Sequence, residues 1–228
     1  MKKLLFLGDS LTDCYHNFDS DSLGEGYVRM IAESLHYGQR EVSVTNKGID
    51  GFTLPLLLRL WKNECTQLRP DAISILIGVN DAGVIMENEP ASGLPGSSGL
   101  SGSAGLPGSA GRSSALSASL DDFRIGFRAL LEEIRKTCTC PVFVLEPFIF
   151  SRPAEYAAWR PLLASISAIE QDESDRFRLR FLPLQKKLDT AVSALGCEEI
   201  TLDGIHLTTE GHRILADTFL RAWREPTP

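Results

Sequence analysis

The stretch Leu4-Leu5-Phe6-Leu7-Gly8-Asp9-Ser10-Leu11-Thr12 decides the fold. It opens with an uninterrupted apolar run, which is typical of a strand buried on both faces of a parallel sheet. Gly8 permits a tight turn directly after that strand, so the Ser10 hydroxyl is expected at the carboxyl edge of the sheet. Taken alone, a serine in this position is better explained as a turn or helix-cap residue.

Short apolar runs and helical patterns alternate along the rest of the chain. The further predicted strands are 41–45, 72–77, 142–145 and 177–182, and the predicted helices are 23–36, 54–68, 120–134, 153–169, 184–195 and 208–223. This alternation predicts an α/β fold with a mostly parallel five-stranded sheet and helices on both faces. Pro153 is expected near the start of its helix, and Pro161 at a kink.

A low-complexity segment interrupts this alternation. Glycine occupies every third position from residue 93 to residue 111, which is the period of collagen. A triple-helical rod of this length would hold its ends roughly 60 Å apart, whereas both ends here join one predicted sheet. We therefore expect a single domain, 1–228, interrupted by a flexible, linker-like insertion at about 89–119.

Charge and composition narrow the classes of partner. The 228 residues carry a formal charge of −7, 43% are hydrophobic, and the pI is about 5.2. No basic cluster is present, which argues against nucleic acid or an anionic membrane surface as the main partner. The apolar run Leu4–Leu7 is too short for an export signal, and no stretch approaches the roughly 18 apolar residues of a membrane span. We expect a cytoplasmic protein; its oligomeric state stays open.

The cysteines give no sign of a disulfide framework or a zinc site. They are odd in number, dispersed and without zinc-ligand spacing: Cys14, Cys65, Cys138, Cys140 and Cys197. The pair Cys138-Thr139-Cys140 is interpreted as two buried or idle thiols beside a strand rather than a redox or metal element. Neither a metal nor an organic cofactor is expected.

A serine nucleophile needs a base, and the sequence offers four histidines. His16 lies in a polar loop, His36 at a helix end and His212 inside the last helix. His206 stands in a predicted loop three residues after Asp203, where the carboxylate could hold the imidazole while its other nitrogen faces a hydroxyl. A surface loop with a helix cap would explain the same motif, and metal binding is a weaker rival.

Two other loops could stabilise an oxyanion. Residues 46–51 follow the second strand, where Gly48 lets a backbone N–H approach a ligand. Residues 78–81 follow the third strand, where the Asn80 amide could donate a second hydrogen bond. Each loop alone is an ordinary turn, but together with Ser10 and His206 they place complementary groups at one edge of the sheet.

Gly8-Asp9-Ser10-Leu11, Gly48, Gly78-Val79-Asn80-Asp81 and Asp203-Gly204-Ile205-His206 together resemble, in order, the four sequence blocks of the GDSL, or SGNH, hydrolase superfamily. The resemblance implies a three-layer α/β/α, flavodoxin-like fold and hydrolysis of carboxylic esters. It makes Ser10 the nucleophile, His206 the general base and then acid, and Asp203 the residue that orients His206. The oxyanion would be held by the Ser10 and Gly48 N–H groups and the Asn80 side chain.

The substrate is less well defined by the sequence. Glu146-Pro147-Phe148 and Trp159-Arg160 resemble the acetylesterase branch of that superfamily, which implies short acyl groups on carbohydrate-like alcohols. Asp50, Glu146 and Arg152 are the predicted substrate contacts, although ordinary loop charge would explain them equally well. Two alternatives stay open: a thioesterase or lysophospholipase acting on longer chains, and a non-catalytic hydrolase-like binding protein.

Overall fold

The computed structural model describes residues 2–37, 42–88 and 109–225, which fold around one five-stranded sheet. The strands are β1 (Lys2–Gly8), β2 (Val42–Gly48), β3 (Ala72–Leu76), β4 (Val142–Leu145) and β5 (Arg180–Leu182). The helices are α1 (Ser10–Asp13), α2 (Tyr27–Tyr37), α3 (Leu54–Leu60), α4 (Val79–Asn88), α5 (Ser109–Thr137), α6 (Arg160–Arg176), α7 (Gln185–Leu195) and α8 (Thr209–Arg224). Within these described ranges, no helix has the length and apolar composition needed to cross a membrane.

The strand order places the carboxyl ends of β1 and β3 side by side. The order is β2-β1-β3-β4-β5, and every neighbouring pair is parallel. The chain moves from β1 to β2 on one side and then returns to β3 on the other, so the winding direction reverses between β1 and β3. Ligands of open parallel sheets bind at this reversal. The predicted parallel, flavodoxin-like α/β fold is confirmed.

Alternate residues of β1 face opposite layers of the core. Leu4 and Phe6 pack with α2, α7 and α8, where the Phe6 ring lies 5.2 Å from that of Phe219. Leu5 and Leu7 pack against the layer that contains α3, α4, α5 and α6. All four side chains are at most 2% exposed, which explains why the strand is apolar without alternation.

The predicted loops after β2 and β3 are shorter than expected. Gly48 is the last residue of β2 and pairs with Gly8, because the polar end of this strand still hydrogen-bonds to β1. Asn80 lies in the first turn of α4, not in a loop. Pro161 lies in the first turn of α6, where its missing N–H costs nothing, and the predicted kink there is wrong.

The insertion extends less far towards the carboxyl terminus than predicted. Residues 109–119, assigned to the linker from sequence, form the beginning of α5, so that boundary is wrong. The helical spacing of the apolar side chains becomes clear only from Leu120, which hid the earlier turns. Residues 89–108, which hold most of the glycine triplets, lie outside the described residues.

Glu170 is a fully buried carboxyl group in α6. Its side chain is 0% exposed, and neither carboxylate oxygen has a hydrogen-bond partner among the described residues. Burial raises its pKa well above the ordinary value of 4.5, and the nearby carboxylates of Asp81, Glu146 and Asp9 add to the increase. The folded protein therefore keeps Glu170 protonated to a higher pH than the unfolded chain does.

Glu170→Gln tests this protonation state through the pH dependence of stability. Folded Glu170 keeps its proton while the unfolded chain loses it above about pH 4.5, so the parent's free energy of unfolding falls as pH rises, by at most about 1.4 kcal/mol per unit. Urea unfolding at pH 5 and pH 8 should show that the free energy of unfolding of the variant rises relative to that of the parent as the pH increases.

The matched control is Glu173→Gln, one turn further along α6. Arg128 donates two hydrogen bonds to Glu173 and lowers its pKa, so its contribution to stability is present at neutral pH and is lost in acid. The free energy of unfolding of this control should fall furthest below that of the parent at neutral pH, and the difference should shrink as the pH falls. Equal pH profiles for the parent and Glu170→Gln would contradict a neutral Glu170.

Candidate active site

Ser10 opens the short helix α1 at the carboxyl end of β1. Asp9 caps this helix: its carboxylate accepts a hydrogen bond from the Leu11 N–H at 3.1 Å, and its backbone carbonyl accepts one from the Asp13 N–H. Asp9 is 1% exposed, and burial raises its pKa to about 7 although the bond from Leu11 acts in the opposite direction. The cap therefore fixes the turn that presents the Ser10 hydroxyl.

His206 and Asp203 meet Ser10 across 196 residues of sequence. His206 Nε2 lies 3.0 Å from Ser10 Oγ, and His206 Nδ1 lies 2.6 Å from Asp203 Oδ2. The other carboxylate oxygen of Asp203 accepts the backbone N–H groups of Ile205 and His206. Partial burial acts to raise the Asp203 pKa, but these hydrogen bonds outweigh it and hold the pKa below its usual value. An ionised Asp203 accepts a hydrogen bond from the Nδ1–H group, which leaves Nε2 as the acceptor of a hydrogen bond from the Ser10 hydroxyl.

Gly204 shapes the loop that carries this pair. Its φ is +98°, a conformation that favours glycine, and a Cβ there would lie 1.9 Å from the Arg152 carbonyl oxygen. The Gly204 carbonyl accepts the Phe150 N–H, and the Gly204 N–H donates to Thr201 Oγ1 at 2.9 Å. The segment that follows β4 thus holds the loop against the sheet edge.

Gly48 is needed for packing, and its N–H already has a partner. A Cβ on Gly48 would lie 2.2 Å from the Asp13 nitrogen and 2.5 Å from the Thr12 carbonyl carbon, so α1 rests directly on β2. The Gly48 N–H donates to Asn46 Oδ1 at 2.9 Å. The glycine is therefore explained by the close approach of α1, and donation to a ligand would require it to share that proton.

Asn80 lies in the first turn of α4, which follows β3 at the carboxyl edge of the sheet. Its Nδ2 donates one hydrogen to the Phe52 carbonyl at 2.9 Å, which leaves its second amide hydrogen available. The adjacent Asp81 carboxylate accepts the Leu54 N–H, and burial raises the pKa of Asp81 to about 6. Both contacts join α4 to the start of α3 and fix the Asn80 side chain at the sheet edge.

The three predicted substrate contacts have different surroundings. Asp50 is exposed, and its N–H donates to Asp13. Arg152 is exposed and pairs with Glu198 at 3.1 Å. Glu146 accepts the Leu184 and Gln185 N–H groups and the Ser167 hydroxyl, so it holds α7 and α6 together, and we do not assign it to the substrate.

Sequence reasoning missed three polar groups that position the site. Asn46 donates to the carbonyls of Thr12 and Leu23, which fastens α1 to β2. His16, expected in a polar loop, is buried 2.5 Å from Asp13. His212 accepts the Tyr27 N–H, and burial lowers its pKa to about 4. Asn46 follows Val42 and Val44 at two-residue spacing, and this polar residue on the apolar side of a half-polar strand was the one visible signal.

Comparison with known proteins assigns the family. The model of the GDSL-like lipase/acylhydrolase family matches residues 6–214. The chain belongs to this family. This acylhydrolase is therefore a carboxylic ester hydrolase, as the sequence resemblance implied. Among the described residues, no group of three or more histidine, cysteine, aspartate or glutamate side chains could hold a metal ion.

The chain is also similar to individual proteins, and the solved structures among them share its fold. The acylhydrolase is 26% identical over 227 residues to an acetylxylan esterase of Geobacillus stearothermophilus, covering 96% of this chain and 93% of that protein. A crystal structure of an acetylxylan esterase from that organism superposes with a TM-score of 0.75 at 24% identity, over 99% of this chain and 95% of the other. An alpha/beta hydrolase from the Lake Arreo metagenome gives a TM-score of 0.75 at 20% identity, over 97% and 94%.

Gly48→Ala tests the contact between α1 and β2 in this acylhydrolase. The new methyl group must displace the Thr12–Asp13 backbone, which should cost about 1–3 kcal/mol of stability. The same shift moves Ser10, and a displacement of about 1 Å lowers turnover about 10²-fold. Thermal unfolding and p-nitrophenyl acetate hydrolysis would measure both effects.

Gly126→Ala in α5 is the matched control. Its Cβ would meet only the flexible Leu54 side chain, at 3.2 Å or more, and alanine is the better helix former, so stability and turnover should stay near the parent's. Parental turnover in Gly48→Ala would show that the close approach does not position Ser10.

Proposed function

We propose that this acylhydrolase is a serine esterase that works through an acyl-Ser10 intermediate. The observation that carries the proposal is the 3.0 Å separation of Ser10 Oγ and His206 Nε2, with Asp203 bound to the opposite ring nitrogen. This is the arrangement in which a serine hydroxyl can lose its proton to a neutral imidazole as it attacks. The family assignment supports ester hydrolysis independently of that geometry.

The proposed reaction has two steps. Ser10 Oγ attacks the ester carbonyl carbon while His206 Nε2 takes the hydroxyl proton, and the tetrahedral oxyanion collapses as His206 returns that proton to the leaving alcohol. Water then attacks the acyl-Ser10 carbonyl, again giving a proton to His206, and the acid leaves as Ser10 regains its hydrogen. Asp203 stabilises the imidazolium formed in each step.

The proposed oxyanion donors are the Ser10 N–H, the Asn80 amide and the Gly48 N–H. Ser10 contributes a backbone donor from the first residue of α1, and Asn80 has a second amide hydrogen besides the one bound to Phe52. Gly48 would have to share its proton between Asn46 and the oxyanion, so we expect it to contribute less than the other two. Preorganised donors of this kind supply a large part of the rate enhancement in acyl transfer.

For the substrate, we propose short acyl groups, acetyl above all, on carbohydrate-like alcohols. The support is the relative named an acetylxylan esterase and the exposed polar groups Asp50 and Arg152 near the sheet edge. Crystal structures of the acetylxylan esterase include two catalytic mutants, in which an aspartate and a histidine three positions later are changed. Asp203 and His206 have the same spacing.

Labelling with a fluorophosphonate probe tests the nucleophile. Intact-mass analysis should show one adduct per parent chain, and none on Ser10→Ala, whose turnover should fall by about 10⁴-fold or more. Ser193→Ala removes an exposed hydroxyl on α7 and serves as the control; it should label and turn over like the parent. An unlabelled parent would favour a non-catalytic binding protein, and a labelled Ser10→Ala would assign another nucleophile.

A ladder of p-nitrophenyl esters from acetyl to palmitoyl tests the acyl length. We expect kcat/KM to be highest for the acetyl ester and to fall steeply with each added pair of carbons. The reason is that the proposed site accepts a short acyl group and is not built to bind a long one. Acetate release from acetylated oligosaccharides then tests the alcohol. A maximum at eight or more acyl carbons would instead favour a thioesterase or lysophospholipase, with half-buried Ile49 and Phe52 as walls of its groove.

A further inference from the structure

A pair of thiols lies at the end of the sheet opposite Ser10. Cys138 follows the last turn of α5, and Cys140 precedes β4, so both sit at the amino edge of the sheet. Their sulfur atoms are 3.0 Å apart and unbonded, and both side chains are partly accessible. The predicted triad, at the carboxyl edge, uses neither of them.

The surroundings favour a thiolate on Cys138. A hydrogen bond from the Cys140 thiol lowers the pKa of Cys138 to about 6, with help from the Cys140 N–H and the Arg135 guanidinium. The pKa of Cys140 moves in the opposite direction, because its proton is held between the two sulfurs. Arg135 is held in place by donating to the Cys140 carbonyl at 2.8 Å.

Two other cysteines show the contrasting behaviour of structural thiols. Cys65 is fully buried, and burial raises its pKa to about 11. Burial also raises the pKa of Cys14, which lies beside His212. Neither thiol ionises at neutral pH, so the two thiols in the turn between α5 and β4 differ from them in acidity.

A basic cavity of about 510 Å³ opens beside the two thiols. Arg69, Arg135 and Lys136 contribute positive charge to its lining, of which Lys136 is paired with Glu133 at 2.7 Å. The single acidic residue in the lining is Asp71, which accepts the Lys3 N–H, so the lining keeps a positive excess from Arg69 and Arg135. A small ligand that carries carboxylates would therefore be attracted to the cavity, next to the Cys138 sulfur.

We propose that Cys138 and Cys140 form a thiol–disulfide exchange site for small, carboxylate-bearing disulfides. The Cys138 thiolate attacks one sulfur of the ligand, breaks its S–S bond and releases one ligand thiolate, which takes a proton from water. Cys140 then gives up its proton and attacks the Cys138 sulfur of the mixed disulfide, releasing the second ligand thiol. The protein gains one disulfide and the ligand is reduced to two thiols.

The separation available to two residues two apart in sequence overlaps the range that a disulfide needs. Residues two apart in sequence have Cα atoms at most about 7 Å apart, and a disulfide needs a separation of about 4.4–6.8 Å. The resolving thiol already touches the attacking sulfur, so the second step requires mainly side-chain rotation.

Proximity, more than acidity, should distinguish this site. The lowered pKa gives Cys138 more thiolate at pH 7 than an ordinary cysteine has, but an acidic thiolate is intrinsically less nucleophilic, so the two effects largely offset each other. The identity of the product is therefore the sharper readout.

The experiment treats the fully reduced protein with glutathione disulfide at neutral pH and low ionic strength. The parent should lose about 2 Da, and peptide mapping should assign the new bond to Cys138 and Cys140. Cys140→Ser should stop at a stable glutathione adduct on Cys138, and Cys138→Ser should form no bond in this turn. Ester hydrolysis by both variants should match the parent's, which verifies folding.

Cystamine, a disulfide with positive charges, tests the role of the cavity. Glutathione disulfide should react several-fold faster than cystamine in low salt, and the difference should shrink as salt is added. Equal rates in low salt would overturn the preference for anionic ligands. A stable glutathione adduct on Cys138 in the parent, or reaction confined to Cys14, Cys65 or Cys197, would overturn the exchange site itself.

Discussion

The close packing of α1 on the ends of β1 and β2 is the constraint on which the rest of the site depends. A Cβ on Gly8 would lie 2.3 Å from Thr12 Oγ1, and a Cβ on Gly48 would lie 2.2 Å from the Asp13 nitrogen. Gly8 and Gly48 are paired across neighbouring strands, and their missing side chains let α1 pack directly on the strand ends. Because α1 begins at Ser10, this packing sets the direction of the Ser10 hydroxyl. The Asn46 amide holds α1 in place by donating a hydrogen bond to the Thr12 carbonyl.

The position of His206 depends on contacts within its own loop and on contacts with segments far away in sequence. The Thr201 hydroxyl donates to the His206 carbonyl and accepts the Gly204 N–H, which closes the loop on itself. The bond from Phe150 to Gly204 then joins that loop to the segment after β4. At the other end of the loop, His212 on α8 accepts the Tyr27 N–H and aligns α8 with α2. Two independent anchors therefore bring the imidazole to Ser10.

The sequence predicts the layers from local rules, and it predicts the pairing of Ser10 with His206 through the resemblance of their motifs to a known superfamily. Buried parallel strands are apolar throughout, and the loops at their carboxyl ends converge. Partner choice among polar side chains is decided instead by the tertiary structure. Glu146 lies at the expected edge of the sheet, yet its carboxylate accepts hydrogen bonds from the start of α7 and from Ser167. Gly48 lacks a side chain, as the predicted approach of a ligand requires, yet the space beside it is filled by the backbone of α1. Neither outcome could be derived from residue type and spacing.

Asn80 and the glycine-rich insertion both lie in the connection between β3 and α5. The contacts of α4 explain why the insertion does not disturb the position of Asn80. The first turn of α4 is held by Asn80, which donates to the Phe52 carbonyl, and by Asp81, which accepts the Leu54 N–H. The insertion follows the last residue of α4, about 12 Å further along the helix at 1.5 Å per residue. Doubling the length of such a connection costs only about 0.6 kcal/mol in closure entropy. The anchors that fix Asn80 thus precede the insertion in the chain and do not depend on its length.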